Sequence, residues 1–88
     1  NRKRAAGYIS AGAVINLLEL QKYRCAEPSC KKKIKIGEKN AFHLDHIMPI
    51  SKGGDNSFGN LQCLCPSCNQ RKSAKLPEEW AKENWRLI

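Results

Sequence analysis

The sequence predicts a small zinc-stabilised α+β domain with a helix added at each end, and three observations carry that prediction. The chain has 88 residues and five cysteines. A domain of this length buries only roughly 60–65% of the surface its unfolded chain exposes, so a metal or disulfides often supplement the core. Cys25-x4-Cys30 and Cys65-x2-Cys68 form two separated pairs, as a site closed by two short hairpins requires. Between the pairs the apolar residues alternate in short runs, and near the chain ends they follow helical spacing.

Residues 1–22 comprise a basic tail and the N-terminal helix. Ser10 is placed to cap a helix on which Val14, Leu17, Leu18 and Gln21 share a face, while Ile15 and Leu20 fall off it as ordinary exposed apolar residues. Residues 23–76 form the core of the domain. In the first hairpin, Pro28 and Ser29 make Arg24-Cys-Ala-Glu-Pro-Ser-Cys30 a turn. Lys33-Ile-Lys-Ile-Gly37 and Ala41 to Pro49 alternate and read as two strands, the second stopped by its proline. Ser51 to Asn60 is a glycine-containing loop, and Leu61 to Leu64 a short apolar strand. The chain turns again at Cys65-Pro-Ser-Cys68, and Asn69 to Ala74 reads as a short helix. Residues 77–88 carry the last helix, with Pro77 at its first turn and Glu78 to Trp85 following. The three segments are expected to pack as one compact domain.

Sixteen Lys and Arg against eight Asp and Glu give a formal charge of +8, in a chain that is 41% hydrophobic and 27% charged. This balance favours a polyanionic partner such as nucleic acid or an anionic membrane surface. The longest apolar segment, Ala11 to Leu20, is interrupted by Gly12, Asn16 and Glu19, so no membrane span is expected. The opening Asn-Arg-Lys-Arg is followed by no signal-peptide cleavage site, and the first residue is not Met, as in a trimmed chain. An odd number of cysteines fits a reducing, cytoplasmic compartment better than a paired secreted framework.

Four thiolates from Cys25, Cys30, Cys65 and Cys68 suit tetrahedral structural zinc, leaving Cys63 as a buried strand residue. Two other assignments compete. Cys25, Cys30, His43 and His46 superficially resemble a two-cysteine two-histidine finger, but the histidine spacing is short and Cys65 and Cys68 would be orphaned. Disulfides would leave one cysteine over. With zinc bound, four thiolates and one Zn²⁺ together contribute −2, and the formal charge falls from +8 to +6. Lys31, Lys32, Lys33, Lys35 and Lys39 follow the first hairpin, and Arg71, Lys72 and Lys75 the second, so phosphate contacts are expected from both runs.

His43-Leu-Asp-His46, Asn60 and Asn69 are the residues suited to chemistry. A carboxylate and an amide oxygen are hard ligands for Mg²⁺ or Mn²⁺, and a neutral imidazole can take a proton from water. Singly, each has an ordinary role: Asn60 in a turn, Asn69 at a helix start, Asp45 as a lysine partner, His43 in a core. In order, however, the stretch His43-Leu-Asp-His-Ile-Met-Pro-Ile-Ser-Lys-Gly-Gly-Asp-Asn-Ser-Phe-Gly-Asn-Leu-Gln-Cys-Leu-Cys-Pro-Ser-Cys-Asn-Gln-Arg-Lys72 resembles the motif of the HNH nucleases, with Cys25 and Cys30 as the upstream zinc pair.

The resemblance implies a ββα-metal finger with structural zinc and a second, catalytic divalent ion, Mg²⁺ or Mn²⁺. Position by position, His46 resembles the general base, Asp45 and Asn69 the ligands of the catalytic ion, and Asn60 the residue that holds the loop and orients the base. His43 corresponds to a position that binds phosphate or the ion, or that supports Asp45. Asn69 stands where many members carry histidine, which bears on ion preference. The implied activity is metal-dependent DNA endonuclease cleavage, by nicking or double-strand scission with little sequence preference, leaving 5′-phosphate and 3′-hydroxyl ends. Nucleic-acid contacts are expected from Lys31, Lys32, Lys33, Arg71, Lys72 and Lys75. A monomer is expected, with a dimer as the other option, in the cytoplasm of a bacterium or phage-infected host and in the setting of packaging or restriction machinery. The alternative is a non-catalytic zinc module that binds nucleic acid, with Arg2, Lys3 and Arg4 contributing. A protein-binding finger anchored by Trp80 and Trp85 is the third reading.

Overall fold

The computed structural model describes residues 9–85, so the basic opening with Arg2, Lys3 and Arg4 lies outside the described residues, as does the side chain of Trp85. Helix α1 (Ala11–Leu20) starts where Ser10 Oγ accepts the Ala13 N–H at 3.0 Å, which satisfies one of the free donors of the first turn. Leu17 and Leu18 are buried on its inner face, and Ile15 and Leu20 are exposed, as the spacing predicts. Gln21 fastens the end of the helix: its amide nitrogen donates to the Cys63 carbonyl at 2.9 Å and its amide oxygen accepts the Cys63 N–H at 2.8 Å. Lys22 and Tyr23 then take left-handed conformations, both with φ 56, and reverse the chain into the first cysteine turn.

Strand β1 (His43–His46) pairs antiparallel with β2 (Leu61–Leu64), with His43 opposite Leu64 and Asp45 opposite Gln62. Side-chain alternation divides this ribbon into two faces. Leu61 and Cys63 join Leu17, Leu18 and Ile34 in one core cluster, against which Leu44 packs. Leu64 joins Cys25, Cys65, Cys68 and Trp80 in a second cluster on the other side. The ribbon therefore lies between α1 on one face and α2 (Pro66–Lys72) on the other.

Three expectations need correction. Lys33 to Gly37 is not a strand: among the described residues its only ladder contact is the isolated bridge from Lys33 to Arg24, and Lys35 and Ile36 are exposed. Alternation there marks a surface run with one buried residue, Ile34, rather than a pleated face. The strand expected over Ala41 to Pro49 is shorter, because after His46 the chain bends into a 3-10 turn at Ile50–Lys52. The second hairpin is also already helical: Cys65 stands at the N-cap of α2 and Pro66 at its first position, where a missing N–H costs nothing. Helix α3 (Pro77–Trp85) starts with Glu79 accepting the Leu76 N–H at 2.7 Å, and it buries Trp80 against the cysteine cluster. None of the described helices is long and apolar enough to cross a membrane.

Candidate metal centre and nuclease site

The first cysteine turn is closed by Cys25 N–H to the Lys32 carbonyl at 2.8 Å and shaped by Glu27. That glutamate is buried; its carboxylate accepts the Ser29 hydroxyl at 2.8 Å, and its carbonyl accepts the Cys30 and Lys31 N–H groups. The second pair is positioned by the start of α2. Together they bring the Cys25, Cys30, Cys65 and Cys68 sulfurs within 4.8 Å of one another. Cys30 and Cys65 Sγ are 3.8 Å apart. A tetrahedral ion with sulfur ligands at about 2.3 Å separates them by about 3.8 Å, so the donor set and its spacing fit zinc.

In the protein alone, burial pushes the Cys25 and Cys68 thiols up. Burial acts the same way on Cys65, but hydrogen bonds from the Ser67 hydroxyl and the Cys68 backbone outweigh it and bring that thiol down to about 6. Arg71 donates to Cys68 Sγ at 3.2 Å and lies 5.3 Å from the centre of the Trp80 ring, placing a positive charge beside the sulfurs. Cys63 belongs to the other cluster, and burial pushes its thiol up to about 11. Among the described residues Cys25 and Cys30 converge with Cys65 and Cys68 and not with His43 or His46, so the two-cysteine two-histidine arrangement is not formed.

On the α2 side of the ribbon, His43 and Asp45 stand two residues apart in β1 and face Asn69 and Lys72, one turn apart in α2. Asn69 Nδ2 meets His43 Nδ1 at 3.1 Å. Lys72 Nζ lies 3.1 Å from Asp45 Oδ2 and donates to the His46 carbonyl at 3.0 Å. Gln62, opposite Asp45 in the ladder, donates to the same carboxylate oxygen at 2.9 Å. The amide of Asn69 therefore spends its nitrogen on His43, and Asp45 spends one oxygen on Gln62 and Lys72. Among the described residues each keeps an oxygen with no bond from another side chain, the hard donor that a divalent cation takes.

His46 lies at the end of β1, and its ring bonds to the loop rather than to Asp45 or Asn69: Nε2 is 2.6 Å from Asn56 Oδ1. Asn60 holds that loop. Its Oδ1 accepts the Met48 N–H at 2.8 Å, and its Nδ2 donates to the carbonyls of Met48 at 3.1 Å and Asp55 at 2.8 Å. The Asp55 carboxylate accepts the Ser57 hydroxyl and N–H, which hold it below its usual range.

The basic residues separate into kinds. Lys31, Lys32 and Lys33 are exposed. Lys75 is tied to Glu83 at 2.5 Å, and Arg71 is engaged with Cys68. Lys72 is a correction: expected at the nucleic-acid surface, it is 0% exposed and serves Asp45 and His46 instead. Its place in a basic run concealed that it shares a helix face with Asn69. Asn56, Gln62 and Glu27 were missed altogether, since short polar residues in turns and strands carry no motif that tells a site partner from a solvated one.

Comparison with known proteins agrees with this geometry. Residues 25–75 match the HNH endonuclease family. Over 78 residues, 88% of this chain, the sequence is 36% identical to the CRISPR-associated endonuclease Cas9 of Actinomyces naeslundii. The crystal structure of that Type II-C enzyme superposes on 89% of the chain with a TM-score of 0.66. Over 44 residues, 49% of the chain, it is 41% identical to the bovine DNA annealing helicase and endonuclease ZRANB3. The chain spans only 7% of the curated Cas9 and 4% of ZRANB3. Its four clustered cysteines, antiparallel ribbon and following helix all lie within the matched span, and the chain belongs to the HNH endonuclease family.

Proposed function

We propose that this chain is a metal-dependent DNA-cleaving domain in which His46 is the general base and Asp45 and Asn69 hold a catalytic divalent ion, Mg²⁺ or Mn²⁺. The observation that carries the reading is the pair of hard oxygens at Asp45 and Asn69 on facing elements, with His46 the next residue of β1 after Asp45. The bound ion would polarise a nonbridging phosphate oxygen and stabilise the leaving oxygen. His46 takes the proton of the attacking water, and the loop anchored by Asn60 holds its ring. Asp45 contributes a carboxylate whose charge is already balanced by buried Lys72, which keeps it ordered before the ion arrives. His43 orients Asn69 through its amide nitrogen.

The Cys25, Cys30, Cys65 and Cys68 cluster holds structural zinc, which requires a reducing compartment such as the cytoplasm. Exposed Lys31, Lys32 and Lys33 supply the phosphate contacts that draw DNA to the site. The match to a segment of Cas9 supports a role as the cutting unit of a larger assembly.

The test is cleavage of supercoiled plasmid by the zinc-loaded chain with Mg²⁺, Mn²⁺ or EDTA, beside His46→Ala. Nicking or linearisation that needs the added ion and falls by about 10²–10⁴-fold in His46→Ala is the expected result. Undiminished cleavage by His46→Ala would sink the assignment. A folded, zinc-loaded chain that shifts DNA in a gel but never cuts would instead make it a binding module.

A further inference from the structure

We propose that Asn56 is the positioning residue of His46: its side-chain oxygen fixes the imidazole as the Nε2–H tautomer and leaves Nδ1 as the proton-accepting nitrogen. The inference deepens the nuclease reading above and rests on it. His46 Nε2 lies 2.6 Å from Asn56 Oδ1, and an amide oxygen can only accept. The ring nitrogen facing it must therefore carry the hydrogen. In a neutral imidazole the lone pair then sits on Nδ1, so only that nitrogen can take a proton from water.

Asn56 is itself built into place. Its neighbour Asp55 is held on both sides, by Ser57 at the carboxylate (2.7 Å from the hydroxyl) and by Asn60 at the carbonyl (2.8 Å). Asn60 also grips both backbone atoms of Met48, two residues beyond His46. The loop is thus clamped to the chain that carries the base, and Asn60, its amide spent on backbone, acts on the ring through Asn56. The charged groups nearby contact other atoms. Asp45 faces Gln62 and Lys72, Lys72 meets the His46 carbonyl rather than its ring, and Asp55 is occupied by Ser57. The family resemblance assigned orientation of the base to Asn60; the geometry points one step closer, to Asn56.

The test is the ring nitrogen spectrum of the zinc-loaded chain, with His43→Gln used to assign the signals of His46, alongside cleavage kinetics. The wild type should show the Nε2–H tautomer. Asn56→Leu removes the acceptor at similar size and should mix the tautomers, lowering kcat by about 10–100-fold with KM unchanged. Asn56→Asp restores an acceptor oxygen and should restore both tautomer and kcat to near the wild type. An Nδ1–H tautomer in the wild type overturns the proposal, as does Asn56→Leu with unchanged tautomer and kcat. Should Asn56→Leu not fold, the wild-type tautomer decides alone. Failure of the nuclease reading would look different: His46→Ala would then cut at the wild-type rate, whichever tautomer the wild-type His46 ring shows.

Discussion

The cysteine knuckle, made of a turn and the start of α2, and the loop over His46 are held by different means. Around the knuckle, Cys25, Cys65 and Cys68 are buried against Leu64 and Trp80, and the four sulfurs converge at the spacing of one ion. The loop from Ile47 to Asn60 buries only Pro49, and its shape comes from side chains that bond to backbone: Asn60 to Met48 and Asp55, and Asp55 to Ser57. One region is positioned by a strong interaction that residue type and spacing announce. The other is positioned by several weak ones, each worth about 1 kcal/mol and each dependent on backbone geometry.

The largest effect that would break this contrast comes from Cys65→Ser. Metal binding at such a site is coupled to folding by an amount that reaches about 10 kcal/mol in zinc-finger peptides, far above any single bond in the loop. The variant should lose its bound zinc, measured by elemental analysis, together with its cooperative thermal transition in circular dichroism. A metal-free variant that still melts cooperatively would mean that packing alone holds the knuckle, and the two regions would then differ in degree only.

Lys72 links the regions, since it leaves the knuckle on α2 and ends at Asp45 and His46. Lys72→Met strands a carboxylate that is 7% exposed, and removing one partner of a buried pair costs about 3–5 kcal/mol. The half-exposed pair of Lys75 with Glu83 gives the control: Lys75→Ala should cost no more than about 1 kcal/mol. Denaturant midpoints compare them, and equal losses would show that the burial of Lys72 carries no energetic consequence.

Legibility divides along the same line. The cap at Ser10, the inner face of α1, the two paired strands and the four cysteines that converge could be read from residue type and period, because each rests on a local rule. Alternation misled at Lys33 to Gly37, where Ile34 is buried by α1 and β2 rather than by a sheet partner along its length. In the site, Asp45, His46, Asn60 and Asn69 were recognisable only as members of an ordered motif. What each one touches was not recognisable. Asn56 reads as a turn residue and Lys72 as part of a charged run, and only the packing of α2 on β1 and the clamp across the loop turn them into partners of the motif residues.

The smallest effect sharpens the comparison most, because it tests the loop without removing any hydrogen-bonding group. A Cβ on Gly54 would lie 1.8 Å from the Met48 carbonyl oxygen and 2.7 Å from its carbon. That carbonyl belongs to backbone and is already held by Asn60, so it cannot swing aside as the end of a flexible side chain could. Gly54→Ala must push the loop off the chain beyond His46, at about 1–3 kcal/mol, the range of overpacking. Cleavage should fall with it, since Asn56 moves with the loop. Gly59, five residues on, has nothing within 4 Å of the same added atom, and Gly59→Ala should stay within about 0.5 kcal/mol of the wild type. Denaturation midpoints and zinc content measured side by side separate the outcomes. Loss of stability in Gly54→Ala with zinc retained places the damage in the loop alone, whereas equal behaviour of the two alanine variants would mean that the close approach at Met48 is not what holds the loop.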